Sequence, residues 1–468
     1  MKICMDLIVK NCKVVSADGV YEACIGVEDG KIVKIGLSLE DRAEKTYDAK
    51  GNLLFPGVID GHVHLNLRYD GDVYTADDFF TGTAAAACGG VTTIIDFITP
   101  QTKDYVEEFW KRRRDADGNV VVDYGLHISV TSVEPSTVKS LKRLFYEMGV
   151  CSVKVFTAYG RRGLMLDDGA IYSLMRLCSE NNVLVMAHCE NEHLINMLVE
   201  EFLSEGKTEP MYHALSRPDY VEAEAVQRVA YLSQLTDAET LVVHLSSKAG
   251  LKNIRRAGRE GVRIHAETCP HYLVFTDEVY KTADGAKFIM SPPLKGKADR
   301  EALWDGLGRG DISIVGSDHA CFNSSDKLRP RRFVDVPGGV AGTEVIAMIL
   351  YSEGVLKDRI SLGRMVEVTA RNPALLYGLY PRKGVIAVGS DADFYILNPR
   401  AKTKLNRENL HSNIDHSIYE GFEVDCRIES VFSRGELIAR EGEVVATRGR
   451  GRYLSRSRNM VAGTHVKT

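Results

Sequence analysis

Through its middle, the chain alternates between two hydrophobic rhythms. Short, nearly continuous apolar runs recur at FPGVID, VTTIIDF, DYGLHISV, SVKVFTAY, VLVMAH, TLVVHL, VRIHAETC and ISIVGSD. Runs of this length without polar alternation predict strands covered on both faces. The segments between them, such as YVEEFWKRRRDA, STVKSLKRLFYEMG, IYSLMRLCSENN and EAEAVQRVAYLSQL, space their apolar residues at helical intervals. Strand then helix, eight times over about 260 residues, predicts an α/β fold of the (β/α)8 barrel type. The alternative, an open doubly wound sheet, usually carries a Gly-rich phosphate turn after its first strand, and none is present here. Two later segments, EVIAMILYSEG and SLGRMVEVTARNPALLYGL, predict helices that complete the barrel.

The chain ends read differently. Residues 6–48 hold β-branched runs separated by ADG and EDG turns, which signal hairpins. Similar material returns in GVIAVGSDADFYILNP and RIESVFSRGELIAREGEVVA. This predicts a small β-sandwich domain assembled from residues 1–52 and 383–450. The barrel then spans 53–382 and a tail spans 451–468. No internal repeat or low-complexity tract interrupts this plan.

Composition narrows the function classes. A hydrophobic content of 44% and a charged content of 26% are those of an ordinary globular protein. The net charge of −5 gives no reason to expect nucleic acid or an anionic membrane as partner. The longest basic cluster, TRGRGRYLSRSR, reads as a solvated tail or a subunit contact, because no other basic surface accompanies it. Ten cysteines are scattered without a C-x-x-C pair, which points to free thiols in a reducing compartment. The N-terminus MKICMDLIVK lacks a secretory h-region. No run approaches the length of a transmembrane helix. A cytoplasmic enzyme is the expectation.

Candidate chemistry falls at five separated places, each at the C-terminal end of a strand-like run. They are His62 with His64, Lys154, His188, His244 and Asp318. In a (β/α)8 barrel these ends converge on one face, where active sites form. Imidazole and carboxylate gathered there point to Zn²⁺ or a similar divalent ion. His62 and His64 are two apart, so both side chains share one face of the strand. A lone His at the position of His188 or His244 is more often a satisfied core residue, but two on adjacent strands favour ligands. Asp318 can bind metal or accept a proton from water, or it can simply cap a helix. Lys154 is the odd member, since lysine is almost never fully buried without a partner. Either it snorkels outward or CO2 has converted it to a carbamate, an anion able to bridge two cations. Composition alone favours snorkelling; its place among histidines reverses that preference.

The constellation GHVH, SVKVFTAY, AHCEN, VHLSS, ETCPHYL, SPPL and GSDHACF resembles the cyclic amidohydrolases, in particular their D-hydantoinase and dihydropyrimidinase branch. DDFFTGTAAAACGGVTTIIDF, YHALSRP, KFIMSPPL, YEGFEV and GRGRYL also look like that branch, so the resemblance covers nearly the whole chain. It implies two Zn²⁺ per subunit, with Mn²⁺ or Co²⁺ accepted by the same ligands. His62, His64 and Asp318 would hold one metal, and His188 and His244 the other. Lys154, carbamylated to N6-carboxylysine, would bridge them. Tyr159 matches the tyrosine that polarises the scissile carbonyl, and Ser291 the serine whose backbone contacts the substrate amide. Asp318 would also carry the proton to the leaving nitrogen. The implied substrate is a small cyclic ureide or imide, the product an N-carbamoyl amino acid, and the assembly a homotetramer with GRGRYLSRSR as a subunit contact.

One departure stands out. The branch usually carries P-N-G after the eighth strand; VPGGVAG puts Gly338 where the substrate-touching Asn is expected. GGVAG looks more like allantoinases, which generally lack the tyrosine matched by Tyr159. Dihydroorotases carry Arg where this chain has Asn66. Deaminases of the wider family use one metal and lack the bridging lysine. Non-catalytic assembly relatives of dihydropyrimidinase have lost metal ligands that are all present here. The loops around residues 65–72 and 156–166 would gate substrate stereochemistry.

Overall fold

The structure is a computed structural model that describes residues 4–458. At the N-terminus, β1 (Cys4–Ser16), β2 (Gly19–Glu28) and β3 (Lys31–Gly36) form an antiparallel meander. Next come β4 (Arg42–Asp48) and β5 (Leu53–Pro56). β6 (Val58–Val63) follows, then a short hairpin of β7 (Arg68–Asp70) and β8 (Val73–Tyr74). β9 (Val91–Ile98), β10 (Asp123–Ser129), β11 (Ser152–Phe156), β12 (Leu184–His188), β13 (Thr240–Val242), β14 (Ile264–Thr268) and β15 (Ile314–Val315) continue the series.

β6 and β9 to β15 pair in parallel and in sequence order, giving the eight-stranded sheet expected of the barrel. A parallel bridge between Val63 and His319 joins its two edges. All eight apolar runs read from the sequence became these strands. Their residues divide by parity, as the pleat demands. Leu184 and Met186 enter the inner cluster with Ile95, Phe97 and Leu241. Val185 and Ala187 face the outer cluster with the helices. The helices over 105–116, 135–147, 168–180 and 219–236 lie where apolar spacing placed them. The segment after residue 345 is less regular than expected: short α-helical pieces alternate with π-turns at 350–355 and 367–371.

The terminal strands interleave. β16 (Phe394–Asn398) pairs antiparallel with β5. The two-stranded β17 (Thr403–Lys404) and β18 (Glu423–Val424) stand apart, while β19 (Arg427–Ser433), β20 (Glu436–Arg440) and β21 (Glu443–Val444) extend the sheet. β1 is where the layers divide. Its first half pairs with β4, and after a register shift between Val9 and Cys12 its second half pairs with β5. Val9, Val14, Ile25, Leu54, Phe394 and Phe432 fill the space between.

The basic segment corrects one expectation. Up to Arg458 it is not a solvated tail. Leu454 N–H donates to Tyr124 O at 2.7 Å, and Arg456 is 2% exposed, its guanidinium bonded to Leu126 O, Tyr377 O and Ser152 Oγ. A strand carbonyl, a carbonyl at a helix end and a hydroxyl at the barrel floor supply its acceptors. The remainder of the tail, 459–468, lies outside the described residues. The nine cysteines whose side chains are described are free and buried. No helix among the described residues is long and apolar enough to cross a membrane.

A candidate metal centre at the C-terminal face of the barrel

The predicted metal-site residues sit in or just past the last residues of barrel strands, whereas Ser291 and Gly338 come from the loops before and after β15. His62 lies within β6 and His64 just after it, with ring centroids 5.3 Å apart. Phe97, from neighbouring β9, packs 4.8–4.9 Å from both rings and fixes their planes. Gly61 lets the chain pass the Tyr377 ring, which a Cβ there would approach to 2.2 Å. Lys154 is the third residue of β11, and His188 is the last of β12. His244 and Asp318 follow β13 and β15 in left-handed backbone, with φ of 41° and 49°; Tyr159 shares that conformation at 70°. Such backbone in non-glycine residues costs about 1–3 kcal/mol and persists where the surroundings over-determine it. Asp318 caps no helix, so its bland reading falls.

The side chains converge. His62 Nε2 and His64 Nε2 stand 3.2 and 3.3 Å from one oxygen of Asp318. His188 Nδ1 lies 2.9 Å from His244 Nε2. The His62 and His244 rings, 5.5 Å apart, join the two groups. Lys154 does not snorkel: it is 1% exposed, and its ammonium lies between the Phe97 and Phe156 rings, 5.2 Å from each centroid. It makes no ion pair among the described residues. All six open onto one cavity, also lined by Tyr159, Ser291 and Gly338.

Two carboxylates that the sequence reading did not single out orient this array. His62 Nδ1 donates to Glu267 at 2.6 Å, and His188 Nε2 donates to Glu190 at 2.9 Å. Each bond fixes the tautomer and leaves the other ring nitrogen's lone pair aimed inward, the arrangement that metal-ligating histidines use. His62 Nε2 is buried with no hydrogen-bond partner, and such a group is costly unless something else meets it. Inward lone pairs and a carboxylate oxygen, crowded within 4.8 Å, fit a divalent cation. A signal for the carboxylates was present. Both lie in the apolar strand-end motifs AHCEN and ETCPHYL, where an acid needs a partner.

Comparison with known proteins agrees with this geometry. Residues 53–438 match the Amidohydrolase family. The chain belongs to that family. It is 38% identical to the D-hydantoinase of Geobacillus stearothermophilus, over 97% of each chain. It is 40% identical to the D-hydantoinase of Ralstonia pickettii, over 97% of this chain and 99% of that one. The crystal structure of dihydropyrimidinase from Brevibacillus agri NCHU1002 superposes with a TM-score of 0.94 at 38% identity, covering 97% and 99% of the two chains.

The electrostatics of this amidohydrolase site prepare ligands. Burial pushes His64 down to about 4 and lowers His188 and His244 as well, so the imidazoles are neutral at pH 7, as metal binding requires. Burial brings the Lys154 ammonium down to about 8. Burial also pushes the Tyr159 phenol up, with the Glu190 charge adding to it, so the hydroxyl remains a donor.

Proposed function

We propose that this amidohydrolase opens the cyclic amide bond of a hydantoin or 5,6-dihydropyrimidine to give an N-carbamoyl amino acid. The observation that carries the reading is the convergence of His62, His64, Asp318, His188 and His244 around a buried Lys154. Full-length similarity to hydantoinases supports it. His62, His64 and Asp318 would hold one divalent ion and His188 with His244 a second, Zn²⁺ being the ion this donor set suits best. Lys154, once carbamylated, would add an anionic ligand able to serve both. CO2 reacts with a neutral amine, and a pKa brought down to about 8 makes that form accessible near neutral pH. When bound, the ion pair supplies Lewis-acid polarisation and an acidified water.

The protein groups do the rest. The Tyr159 hydroxyl donates to the scissile carbonyl oxygen as negative charge grows there, a contribution of about 3–4 kcal/mol for a well-placed donor. Backbone groups of Ser291 and Gly338 orient the ring amide. Asp318 takes a proton from the attacking water and passes it to the leaving ring nitrogen. The enzyme is expected to be a homotetramer.

Protein purified with zinc and bicarbonate is expected to open dihydrouracil, followed by loss of ultraviolet absorbance. Lys154→Ala is expected to lose both turnover and the metal pair, with partial rescue by short carboxylates. Two metals bound without turnover would move the substrate to hydantoins or allantoin. No metal and no turnover would overturn the reading.

A further inference from the structure

One cation in the cavity has no role in the scheme above. Arg162 lines the same cavity as the ligand cluster. It closes the short turn Gly160–Arg162 that follows Tyr159. Glu192 pins this turn: its two carboxylate oxygens accept from Tyr159 N–H at 2.8 Å and Gly160 N–H at 3.2 Å. The guanidinium is held as well. It stacks 4.2 Å over the Tyr69 ring, lies 5.5 Å from the Tyr159 ring, and donates once, to Tyr69 O at 3.1 Å. No carboxylate pairs with it among the described residues. Glu192, which pins the turn, is spent on backbone N–H groups and Asn196. Asp318, the acid that opens onto the cavity, is engaged by His62 and His64.

A fixed, unpaired guanidinium with free N–H groups beside a reaction site is a receptor for a planar anion. Leu67, Phe156 and Leu164 give the same cavity an apolar wall, which suits a short alkyl stem. We infer that Arg162 selects cyclic ureides whose ring substituent ends in a carboxylate. This rests on the hydantoin-opening reading above and names its substrate class.

The test uses isosteres that differ only in charge: hydantoin-5-acetate and hydantoin-5-acetamide as substrates, and their products, N-carbamoyl-aspartate and N-carbamoyl-asparagine, as calorimetric ligands of the zinc- and bicarbonate-loaded enzyme. The acetate and its product are expected to be favoured in kcat/KM and in affinity by roughly 10- to 100-fold, the range of a charge-assisted hydrogen bond. Arg162→Gln should bring both ratios near one, with Arg162→Met as a second neutral replacement and thermal melting to confirm the fold. Equal or better handling of the amides by the native enzyme overturns the inference. So does a preference that survives in the folded Arg162→Gln protein. If neither hydantoin opens yet the aspartate product binds preferentially, the activity reading fails and the anion site stands.

Discussion

Glu190 and Glu267 touch no part of the cavity, yet the site depends on them. Each accepts from a proton-bearing nitrogen of one cavity histidine and so keeps the opposite lone pair facing inward. Replacing Glu267 with Gln keeps an acceptor oxygen but removes the negative charge that strengthens the bond to His62 Nδ1 and makes the opposite nitrogen more basic. It should weaken metal binding by about 10- to 100-fold, read as zinc retained against a chelator series. Lys327 acts at the same scale. It is 1% exposed and donates to Ile289 O and Pro337 O, both at 2.7 Å. Those carbonyls lie close to Ser291 and Gly338 in sequence, so one side chain sets the spacing of two cavity-lining segments. Lys327→Met should cost about 10- to 100-fold in kcat/KM through misplacement. Burial brings its ammonium down to about 7, whereas an unfolded lysine keeps its proton to about pH 10. The unfolded chain thus binds more protons between those values, and native stability should rise with pH across that window. Denaturant melts of native and Lys327→Met protein at pH 7 and pH 10 should differ in this slope, the variant being flatter.

The loop after β15 shows what an element can hide. Adjacent glycines at 338 and 339 suggest one flexible stretch, but their surroundings differ. Gly339 has φ of 149°, and a Cβ there would meet Ala320 O at 2.2 Å. Gly338 has room, its nearest neighbours being Tyr69 Oη at 3.6 Å and Ser291 Oγ at 3.7 Å. Gly339→Ala should therefore destabilise the fold by about 1–3 kcal/mol, while Gly338→Asn should melt close to the native temperature. Thermal denaturation of the two variants separates these outcomes. The Gly338 N–H donates to Tyr69 Oη at 3.1 Å, so the β7–β8 hairpin braces the loop that departs from the usual P-N-G. This marks the limit of what could be read beforehand. The eight strands and the gathering of His62, His64, Lys154, His188, His244 and Asp318 at their ends were legible because both follow local rhythm: uninterrupted apolar runs, each ended by a polar residue. The contacts from Glu267 to His62, Tyr69 to Gly338 and Lys327 to two distant carbonyls were not, since each joins residues far apart in sequence. The left-handed backbone at His244 and Asp318 was hidden too, because tertiary contacts impose it against local preference.

Across the whole molecule, the barrel floor is tied to the terminal sheet by charge. Lys383, 1% exposed, bonds Asp123 at 2.9 Å from the start of β10, Asp393 at 2.5 Å and Asp391 at 3.3 Å. Arg434, from the turn after β19, pairs with the other oxygen of Asp123, which also accepts from Arg452 N–H at 3.0 Å. One aspartate thus joins the barrel, the C-terminal strands and the returning basic segment. Asp391 also pairs with the more exposed Lys31 and Arg382, at 3.1 and 2.9 Å, but Asp123 and Asp393 depend on the buried Lys383, and removing one partner of such a buried cluster costs about 3–5 kcal/mol. Lys383→Met should lower stability by that order, with loss concentrated where sheet and barrel meet, as hydrogen exchange in β10 and β16 would show. The cluster also sets an acid limit. Burial would raise Asp123, but Lys383 and Arg434 outweigh it and hold it at about 2, against about 3.9 when unfolded. A depressed folded value means the stabilisation is complete above the unfolded pKa and drains away as pH falls toward 2. The native enzyme should therefore lose stability progressively below about pH 4. Asp123→Asn, which cannot titrate, should begin less stable and lose less over that range. Parallel acid melts of the two proteins decide it, because curves with the same slope would place the acid-sensitive groups elsewhere.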